Sequence, residues 1–446
     1  MNIKVLLWFD VEDYATVESD DAFAELLKML EDTGARSTIK FCAKKLGLLR
    51  ERGRTDILSR LCHHEMSFNT TNHSVHPLAS EYLDCYGFRE GAKEFERREL
   101  DGFRLISEIS GQAQTSYGQP GWAWAPQVFP VLRKWGVNTY LDAHPILGID
   151  GQPFWYGGVL CLTNLANLIR LQHEDGGLEK YKKDFDSINT TCKETVFVST
   201  YDHPTEFSCS VFWDEVNFAN GRNPEVLRPA PLRKPGEQTK YIEMMREFLV
   251  YSQKKDNVEY ITASQTPALE ISGKEPIRAE DLRSYAAGFD GGVGYAKIKD
   301  RYLSASELFA LSSRCLSGRM LIPELIYGPE EDEASIVVEE SVKTAELAEA
   351  AYAQYDSALG YKQLRSLYRV GKNLLNPVDL FCTMMAAMRQ GGQTVQVQKG
   401  TLKAASHVRD SYKFGGGWIL WKDDFEAKNI FKHTKLQTWT LKPAVF

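Results

Sequence analysis

The segment NIKVLLWFDVEDY, from Asn2 to Tyr14, decides the fold. Its first eight residues are mainly apolar and predict a buried first strand. Three acidic residues follow within four positions, namely Asp10, Glu12 and Asp13. Because like charges repel, a cation, a proton or the amides of a helix N-terminus should favour keeping them together. N-capping of the next helix is the alternative, and ESDD at 18–21 already offers candidate caps.

Strand and helix patterns alternate through the first two-thirds of the chain. STIKFCA (37–43), NTYLDA (138–143) and ETVFVSTYDHP (194–204) predict strands. DDAFAELLKMLEDTGA (20–35) has helical apolar spacing and predicts a helix that ends at Gly34. This alternation predicts an α/β fold, either a parallel sheet or an α/β barrel, with functional residues just past the carboxyl ends of the strands.

The character of the sequence changes near residue 272, which predicts an α/β domain at 1–272 and a mainly helical appendage at 273–446. Within the appendage, 302–329 can be laid over 374–401, and both carry Leu-Phe, a short apolar helix and a glycine-containing turn. A duplicated unit would explain the match. Two unrelated amphipathic helices are the alternative.

Composition narrows the class of protein. The 446 residues carry a net charge of −7, 43% hydrophobic residues and 25% charged residues, which is typical of a globular protein and argues against a nucleic-acid partner. No stretch approaches the roughly 20 apolar residues that span a bilayer, so no membrane partner is expected. With no signal peptide visible, we expect a cytoplasmic protein with reduced cysteines. The eight cysteines are scattered: Cys42, Cys62, Cys85, Cys161, Cys192, Cys209, Cys315 and Cys382.

The segment CHHEMSFNTTNHSVHP, from Cys62 to Pro77, holds four of the nine histidines. Asn69 and His73 are four residues apart, and His73 and His76 are three apart, so either pair could face one metal if the segment is helical. Its asparagines and threonines argue against a long helix. Histidines of an ordinary loop or core are the alternative.

Two further segments carry candidate functional residues. YGQPGWAWAP contains a tight turn before Trp122 and Trp124, whose rings could line a sugar pocket or belong to the core. VFVSTYDHP places Asp202 and His203 directly after an apolar run. A histidine at a strand end suits proton transfer, although neighbouring side chains on a strand point in different directions.

Together, and in this order, the segments resemble the polysaccharide deacetylase family of carbohydrate esterases. The family's opening motif resembles Asp10–Tyr14, and its His-Glu-Ile-Gly-Asn-His-Thr-x-x-His motif aligns with 64–73 without a gap. Its Arg-x-Pro-Gly motif resembles Gly118–Gly121, and its late histidine would be His203. The resemblance covers roughly residues 1–270.

This resemblance implies a distorted (β/α) barrel and a metal-dependent deacetylase that acts on an acetylated sugar or glycan. It implies Asp10 as general base and His203 as general acid. Glu12 would be the metal carboxylate, with Asp13 as the fallback, and His73 would be an imidazole ligand. The implied cofactor is a divalent metal, zinc first, with manganese or cobalt as alternatives. Gln119, Trp122 and Trp124 would bind the substrate.

Two departures from the family pattern affect the expected site. Asn69 stands at the second imidazole position, and Gly118 stands at the arginine position. An amide oxygen is a weaker zinc ligand than imidazole nitrogen, so His76 would have to replace it or zinc affinity would drop. The alternatives are a diverged member that binds glycan or acts as a scaffold without turnover, and different hydrolytic chemistry on the same barrel.

The carboxy-terminal part resembles pseudomurein-binding-type repeats. That likeness would suit attachment to an amino-sugar polymer, whereas packing or a homodimer through this part is equally open. The likeness is carried by Leu303, Ser304, Glu307, Leu308 and Phe309.

Overall fold

The structure is a computed structural model that describes residues 2–162, 167–188, 195–409 and 418–446. Within these ranges the strands, in chain order, are β1 (Ile3–Val11), β2 (Thr38–Phe41), β3 (Glu65–Phe68), β4 (Ser116–Tyr117), β5 (Thr139–Tyr140), β6 (Phe154–Tyr156), β7 (Val159–Cys161), β8 (Leu168–Ile169), β9 (Val196–Asp202), β10 (Val258–Ile261), β11 (Ala296–Ile298), β12 (Arg301–Leu303), β13 (Ser341–Lys343), β14 (Tyr355–Asp356), β15 (Lys362–Gln363), β16 (Tyr368–Val370), β17 (Asn373–Leu375), β18 (Thr394–Gln396) and β19 (Lys442–Pro443).

The same ranges contain fifteen α-helices. They are α1 (Glu18–Thr33), α2 (Ala43–Glu51), α3 (Thr55–Leu58), α4 (Ala79–Leu83), α5 (Phe88–Ser110), α6 (Phe129–Lys134), α7 (Gly177–Asp186), α8 (Pro204–Ser208), α9 (Trp213–Asn217), α10 (Glu237–Gln253), α11 (Ala279–Ala287), α12 (Ala305–Leu316), α13 (Thr344–Ala350), α14 (Pro377–Gln390) and α15 (Lys428–Leu436). No helix in the described part of the chain is both long and apolar enough to cross a membrane.

The main sheet has the order β19-β6-β7-β5-β4-β3-β2-β1-β9-β8, with β10 beside β1. All pairings from β7 to β8 along this path are parallel, and β6 and β19 add antiparallel pairs at one end. All nine residues of β1 are buried. One face of β1 packs in the core that contains the helices, and on the other face Leu6 and Trp8 pack with Leu160 of β7 and Ile261 of β10. The predicted α/β fold with a mainly parallel sheet is confirmed, and closure of the sheet into a distorted barrel stays a prediction.

The parallel pairing places the predicted site residues at one edge of the sheet. β1 pairs with β9 so that Phe9 lies opposite Asp202, and with β2 so that Asp10 lies opposite Lys40. The carboxyl ends of β1, β2 and β9 therefore meet at the same edge, where Asp10, Lys40 and His203 come together.

Most of the buried apolar residues belong to two hydrophobic cores. One gathers β1–β9 with their helices, and the other gathers residues between Ile277 and Val395 together with Trp439. The last segment returns to the first core, where Leu420 and Ile430 pack and β19 pairs with β6. The domain boundary at 272/273 stays a prediction.

The two proposed repeat units share a local structure. The hairpin β11–β12 leads into α12 with Ser304 as its N-cap, and the hairpin β16–β17 leads into α14 with Asn376 as its N-cap. Phe309 and Phe381 hold matching positions on these helices, with ring centroids 6.4 Å apart. A common origin of the two units stays a prediction.

The structure describes seven of the eight cysteines. Those seven are free thiols, and Cys192 lies outside the described residues.

Candidate active site

A cleft of about 200 Å³ opens at the carboxyl edge of the sheet. Acidic, basic and aromatic side chains from distant parts of the chain line this cleft. The lining residues are Asp10, Glu12, His73, Gln119, Pro120, Gly121, Trp122, Asp142, Arg170, Tyr201, His203, Glu206, Phe212, Asp214 and Trp418.

Lys40 joins two carboxylates on one side of this cleft. Its Nζ lies 3.0 Å from Asp10 Oδ1 and 2.8 Å from Asp142 Oδ2. Burial works against the charge of Lys40, but the two carboxylates raise its pKa above the ordinary value. For Asp142, burial raises the pKa to about 7 although Lys40 acts in the opposite direction. The site thus holds a permanent cation next to Asp10.

His203 faces Asp10 from the end of β9. Its Nε2 is 3.6 Å from Asp10 Oδ2, and its Nδ1 is 2.6 Å from Glu206 Oε2. Burial opposes protonation of the ring, but the charge of Glu206 raises the pKa of His203 to about 9. Arg170 pairs with the same oxygen of Glu206. Glu206 therefore directs Nε2 of a protonated His203 toward Asp10.

Glu12 and His73 form a second buried pair beside these groups. Glu12 Oε2 lies 2.6 Å from His73 Nε2, and Glu12 Oε1 accepts a hydrogen bond from Trp213 Nε1 at 2.9 Å. His73 Nδ1 lies 2.6 Å from Ser74 Oγ. Asp214 completes the group, and burial together with the charge of Glu12 raises the pKa of Asp214 to about 7.

Three groups in the described part of the chain have ligand atoms that lie within 4.8 Å of one another. They are Asp10 with Glu12 and His203, Glu12 with His73 and Asp214, and His173 with Asp202 and Glu206. Carboxylate oxygens and imidazole nitrogens are the donors that divalent metals take in proteins. Three carboxylate oxygens of these groups, Asp10 Oδ1, Asp202 Oδ2 and Asp214 Oδ1, are buried and accept no hydrogen bond from the described residues. The donor set at this cleft therefore fits a divalent cation.

Two predicted metal ligands, Asp13 and His76, lie outside these groups. Asp13 Oδ1 accepts hydrogen bonds from the backbone N–H groups of Ala15 and Thr16, and Asp13 Oδ2 accepts one from Thr205. His76 pairs through Nδ1 with Glu81 Oε2 at 2.7 Å.

Asn69 is 1% exposed, and neither of its side-chain polar atoms has a hydrogen-bond partner among the described residues. It is absent from the lining of the cleft. Glu12 and His73, in contrast, line the cleft and belong to one of the three groups.

The predicted substrate-binding residues divide between cleft and core. Gln119 and Trp122 line the cleft, and both polar atoms of the Gln119 side chain have no partner in the described part of the chain. Trp124 is a correction, because its ring is fully buried and its Nε1 donates to Thr434 Oγ1 at 3.0 Å. It packs against Phe129 and contributes to the core instead of the pocket.

Sequence reasoning missed several residues of the cleft. Asp142 is the fifth residue of NTYLDA and comes two residues after the end of β5, so the rule that located Asp10 at a strand end could have located it. Lys40 is a lone lysine inside an apolar strand, which is a second usable signal. Asp214 and Trp418 follow no strand end, and Glu206 carries no motif in the sequence.

No protein-family model matches the chain, and no curated protein matches it in sequence. Among solved structures, it is similar to a 4-alpha-glucanotransferase from Thermococcus litoralis, with 12% identity and a TM-score of 0.41 over 64% of this chain and 46% of that one. The chain thus spans less than half of that protein.

Two carbohydrate esterases of family 4 also match. One, from Streptomyces lividans in complex with acetate, has 10% identity and a TM-score of 0.33 over 59% of this chain and 94% of that one. The other, an acetyl xylan esterase from Clostridium thermocellum with a cobalt ion, has 11% identity and a TM-score of 0.32 over 60% and 91%. With TM-scores below 0.5, these similarities do not assign an activity to the chain.

Proposed function

We propose that the protein is a metal-dependent hydrolase that removes an acetyl group from an amino sugar or glycan. The observation that carries the proposal is the approach of Asp10 and His203 across the cleft, with Nε2 and Oδ2 separated by 3.6 Å, next to the buried Glu12–His73 pair. A carboxylate and a protonated imidazole at one cleft are the base and the acid that acyl transfer to water requires.

In this proposal one residue of the chain accepts a proton and another donates one. Asp10 accepts a proton from the water that adds to the acetyl carbon. His203 donates its Nε2 proton to the sugar nitrogen or oxygen as the bond to the acetyl group breaks, so that acetate and the free sugar result. Glu206 keeps His203 protonated, and Lys40 keeps a positive charge beside Asp10.

Glu12 and His73 would hold the metal, which would polarise the acetyl carbonyl and lower the pKa of a bound water. Gln119, with its unpaired amide, is placed to bind polar groups of a sugar. Trp122 and Trp418 offer aromatic faces on which a sugar ring can stack. The cytoplasmic location and a homodimer through the carboxy-terminal part belong to this proposal as predictions.

The test is release of acetate from N-acetylated amino-sugar oligosaccharides and O-acetylated xylo-oligosaccharides by metal-loaded protein. Asp10→Asn and His203→Gln should each lower the rate by at least about a hundredfold, in the range of a lost general base or acid. Asp101→Asn and His63→Gln change exposed residues and serve as matched controls. Absence of acetate release from all substrates with every metal tried would exclude the proposal.

A second candidate function is glycan binding without turnover. It is favoured by Asn69, which stands where the resemblance implies an imidazole ligand and which does not line the cleft. This function predicts glycan affinity that persists in the Asp10→Asn variant and without metal, as isothermal titration calorimetry would measure. Loss of affinity on chelation would argue against it.

A further inference from the structure

We propose that Asp214 supplies the third protein ligand of the metal, together with Glu12 and His73, and that this set of two carboxylates and one imidazole takes an oxygen-preferring divalent cation such as Mn²⁺. The inference deepens the proposed function, since it concerns the metal of the same cleft. It also replaces Asn69 and His76, the ligands that the sequence suggested, with a residue that the sequence did not suggest.

The first support is the position and burial of the three side chains. Their ligand atoms lie within 4.8 Å of one another. Glu12 is 3% exposed, His73 is 6% exposed and Asp214 is 1% exposed. Two carboxylates buried this close together repel, and a divalent cation between them would relieve that repulsion.

The second support is the way in which neighbouring groups orient the three ligands. Trp213 donates to Glu12 Oε1 and leaves Oε2 directed at His73. Ser74 contacts Nδ1 of His73 and leaves Nε2 for the site. Such outer partners are typical of metal ligands, because they set the orientation of carboxylate and ring.

The third support is the unpaired oxygen of Asp214. Trp418 Nε1 donates to Asp214 Oδ2 at 3.4 Å, whereas Oδ1 is buried and has no hydrogen-bond partner in the described part of the chain. A buried carboxylate oxygen without a hydrogen-bond partner is unfavourable, because nothing compensates for the loss of its hydration. A cation bound at Oδ1 would remove this cost.

Each of the other two ligand groups is already paired with a lysine or an arginine, whose positive charge is permanent. In the group of Asp10, Glu12 and His203, Lys40 Nζ lies 3.0 Å from Asp10. In the group of His173, Asp202 and Glu206, Arg170 pairs with both Asp202 and Glu206. A second cation would be repelled there, so the group with Asp214 is the one left for the metal.

The choice of cation follows from the donors. Carboxylate oxygens suit hard ions such as Mn²⁺ and Mg²⁺, whereas sites with more imidazoles suit Zn²⁺. Replacing an imidazole by Asp214 should therefore raise the affinity for Mn²⁺ relative to that for Zn²⁺. Compared with a set of one carboxylate and two imidazoles, the ligand set with Asp214 is also more negative by one charge.

The experiment is titration of the full-length metal-free protein with Mn²⁺, with free Mn²⁺ measured by electron paramagnetic resonance, and with Zn²⁺ by competition. We expect one equivalent of Mn²⁺, and Asp214→Asn should weaken its binding by at least about tenfold. Asp101→Asn, a matched control at an exposed carboxylate away from the cleft, should change the affinity by less than about twofold. Asp214→His should raise the Zn²⁺ to Mn²⁺ affinity ratio at least about tenfold.

Binding of Mn²⁺ by Asp214→Asn as tightly as by the original protein would overturn the inference, as would no binding of Mn²⁺ to the original protein. An unchanged metal ratio in Asp214→His would do the same. Urea unfolding of each variant establishes that it is folded before titration. Mn²⁺ binding that depends on Asp214, without any acetate release, would leave this inference standing and reject the deacetylase function.

Discussion

The ammonium group of Lys40 occupies the space into which a side chain at Gly118 would project: a Cβ built on Gly118 would lie 2.6 Å from Lys40 Nζ. The motif that the sequence resembles carries an arginine at position 118. Here a cation reaches the same place from β2 and contacts Asp10 and Asp142. The glycine and the lysine are therefore structurally complementary.

Gly118→Ala should displace the Lys40 ammonium from its two carboxylates. Because the ammonium is buried and ion-paired, we expect a loss of about 1–3 kcal/mol in the free energy of unfolding, as for other overpacked sites. Acetate release should fall at least about tenfold. Gly148→Ala is the matched control, because a Cβ there meets no atom within 4 Å. Equal effects of the two variants in urea unfolding would contradict the proposed complementarity.

Glu206→Gln should change the pH dependence of activity. His203 must be protonated to act as an acid, and its pKa is raised to about 9, so kcat/KM should fall as the pH rises through about 9. Without the charge of Glu206, burial lowers the pKa of His203, and this alkaline limb should move to lower pH by about one unit or more.

The pH profile of kcat/KM and the NMR titration of His203 both measure this shift. Glu174→Gln alters an exposed carboxyl and should leave the profile unchanged. An alkaline limb that stays near pH 9 in Glu206→Gln would show that Glu206 does not set the protonation of His203.

Trp418→Ala should weaken the binding of oligosaccharide substrates. The ring lines the cleft, is 42% exposed and lies 5.9 Å from the ring of Phe212. Loss of a stacking surface worth about 1.4 kcal/mol would raise KM about tenfold. A small aryl acetate should be affected much less, since it has no sugar ring to stack.

Trp418→Phe separates stacking from the hydrogen bond to Asp214, because phenylalanine keeps a ring but has no N–H. We expect KM for the oligosaccharide to remain within about threefold of the original. A KM as high as that of Trp418→Ala would assign the effect to Asp214 instead of the sugar.

His64 should make the fold sensitive to acid. Its ring is 1% exposed, its Nδ1 accepts a hydrogen bond from the Ser37 N–H, and burial lowers its pKa from 6.5 to about 4. Between these values the unfolded chain binds a proton that the folded chain does not, so stability is present above pH 6.5 and is lost as the pH falls toward 4. The loss should be on the order of 3 kcal/mol.

His64→Asn keeps an acceptor near Nδ1 but does not titrate, so its free energy of unfolding should depend less on pH between 6.5 and 4.5. Urea unfolding at several pH values measures the difference. His63→Asn, a change of the exposed neighbour, should retain the original pH dependence. An unchanged slope in His64→Asn would mean that other groups cause the acid sensitivity.

The sequence alone predicted the α/β fold and two of the central site residues. Asp10 and His203 each follow an apolar strand, and β1 and β9 are parallel neighbours, so both side chains reach the same edge of the sheet. The local apolar pattern predicts each strand and its end. Parallel pairing of the two strands then places both ends at the same edge. Glu12 and His73 followed from the resemblance.

Only the tertiary structure decided which of the other candidates face the cleft. Trp122 and Trp124 share one short segment, but Trp124 contacts Thr434 in the core. Asp13 is bound by nearby backbone N–H groups and by Thr205. The outcome for Trp124 has no local sequence signal, because it depends on a residue that a distant segment brings to that point. Asp13, in contrast, is held in part by the N–H groups of Ala15 and Thr16, which are two and three residues away.

The residues that complete the cleft come from the same long-range packing. Asp214 lies on the short helix α9. Trp418 belongs to the segment that comes after most of the second core in the sequence and packs against the first core. Their contact joins positions far apart in the chain, and neither residue follows a strand. A strand or helix pattern is set by neighbours in sequence, whereas the composition of this site is set by which surfaces pack together when the apolar side chains are buried.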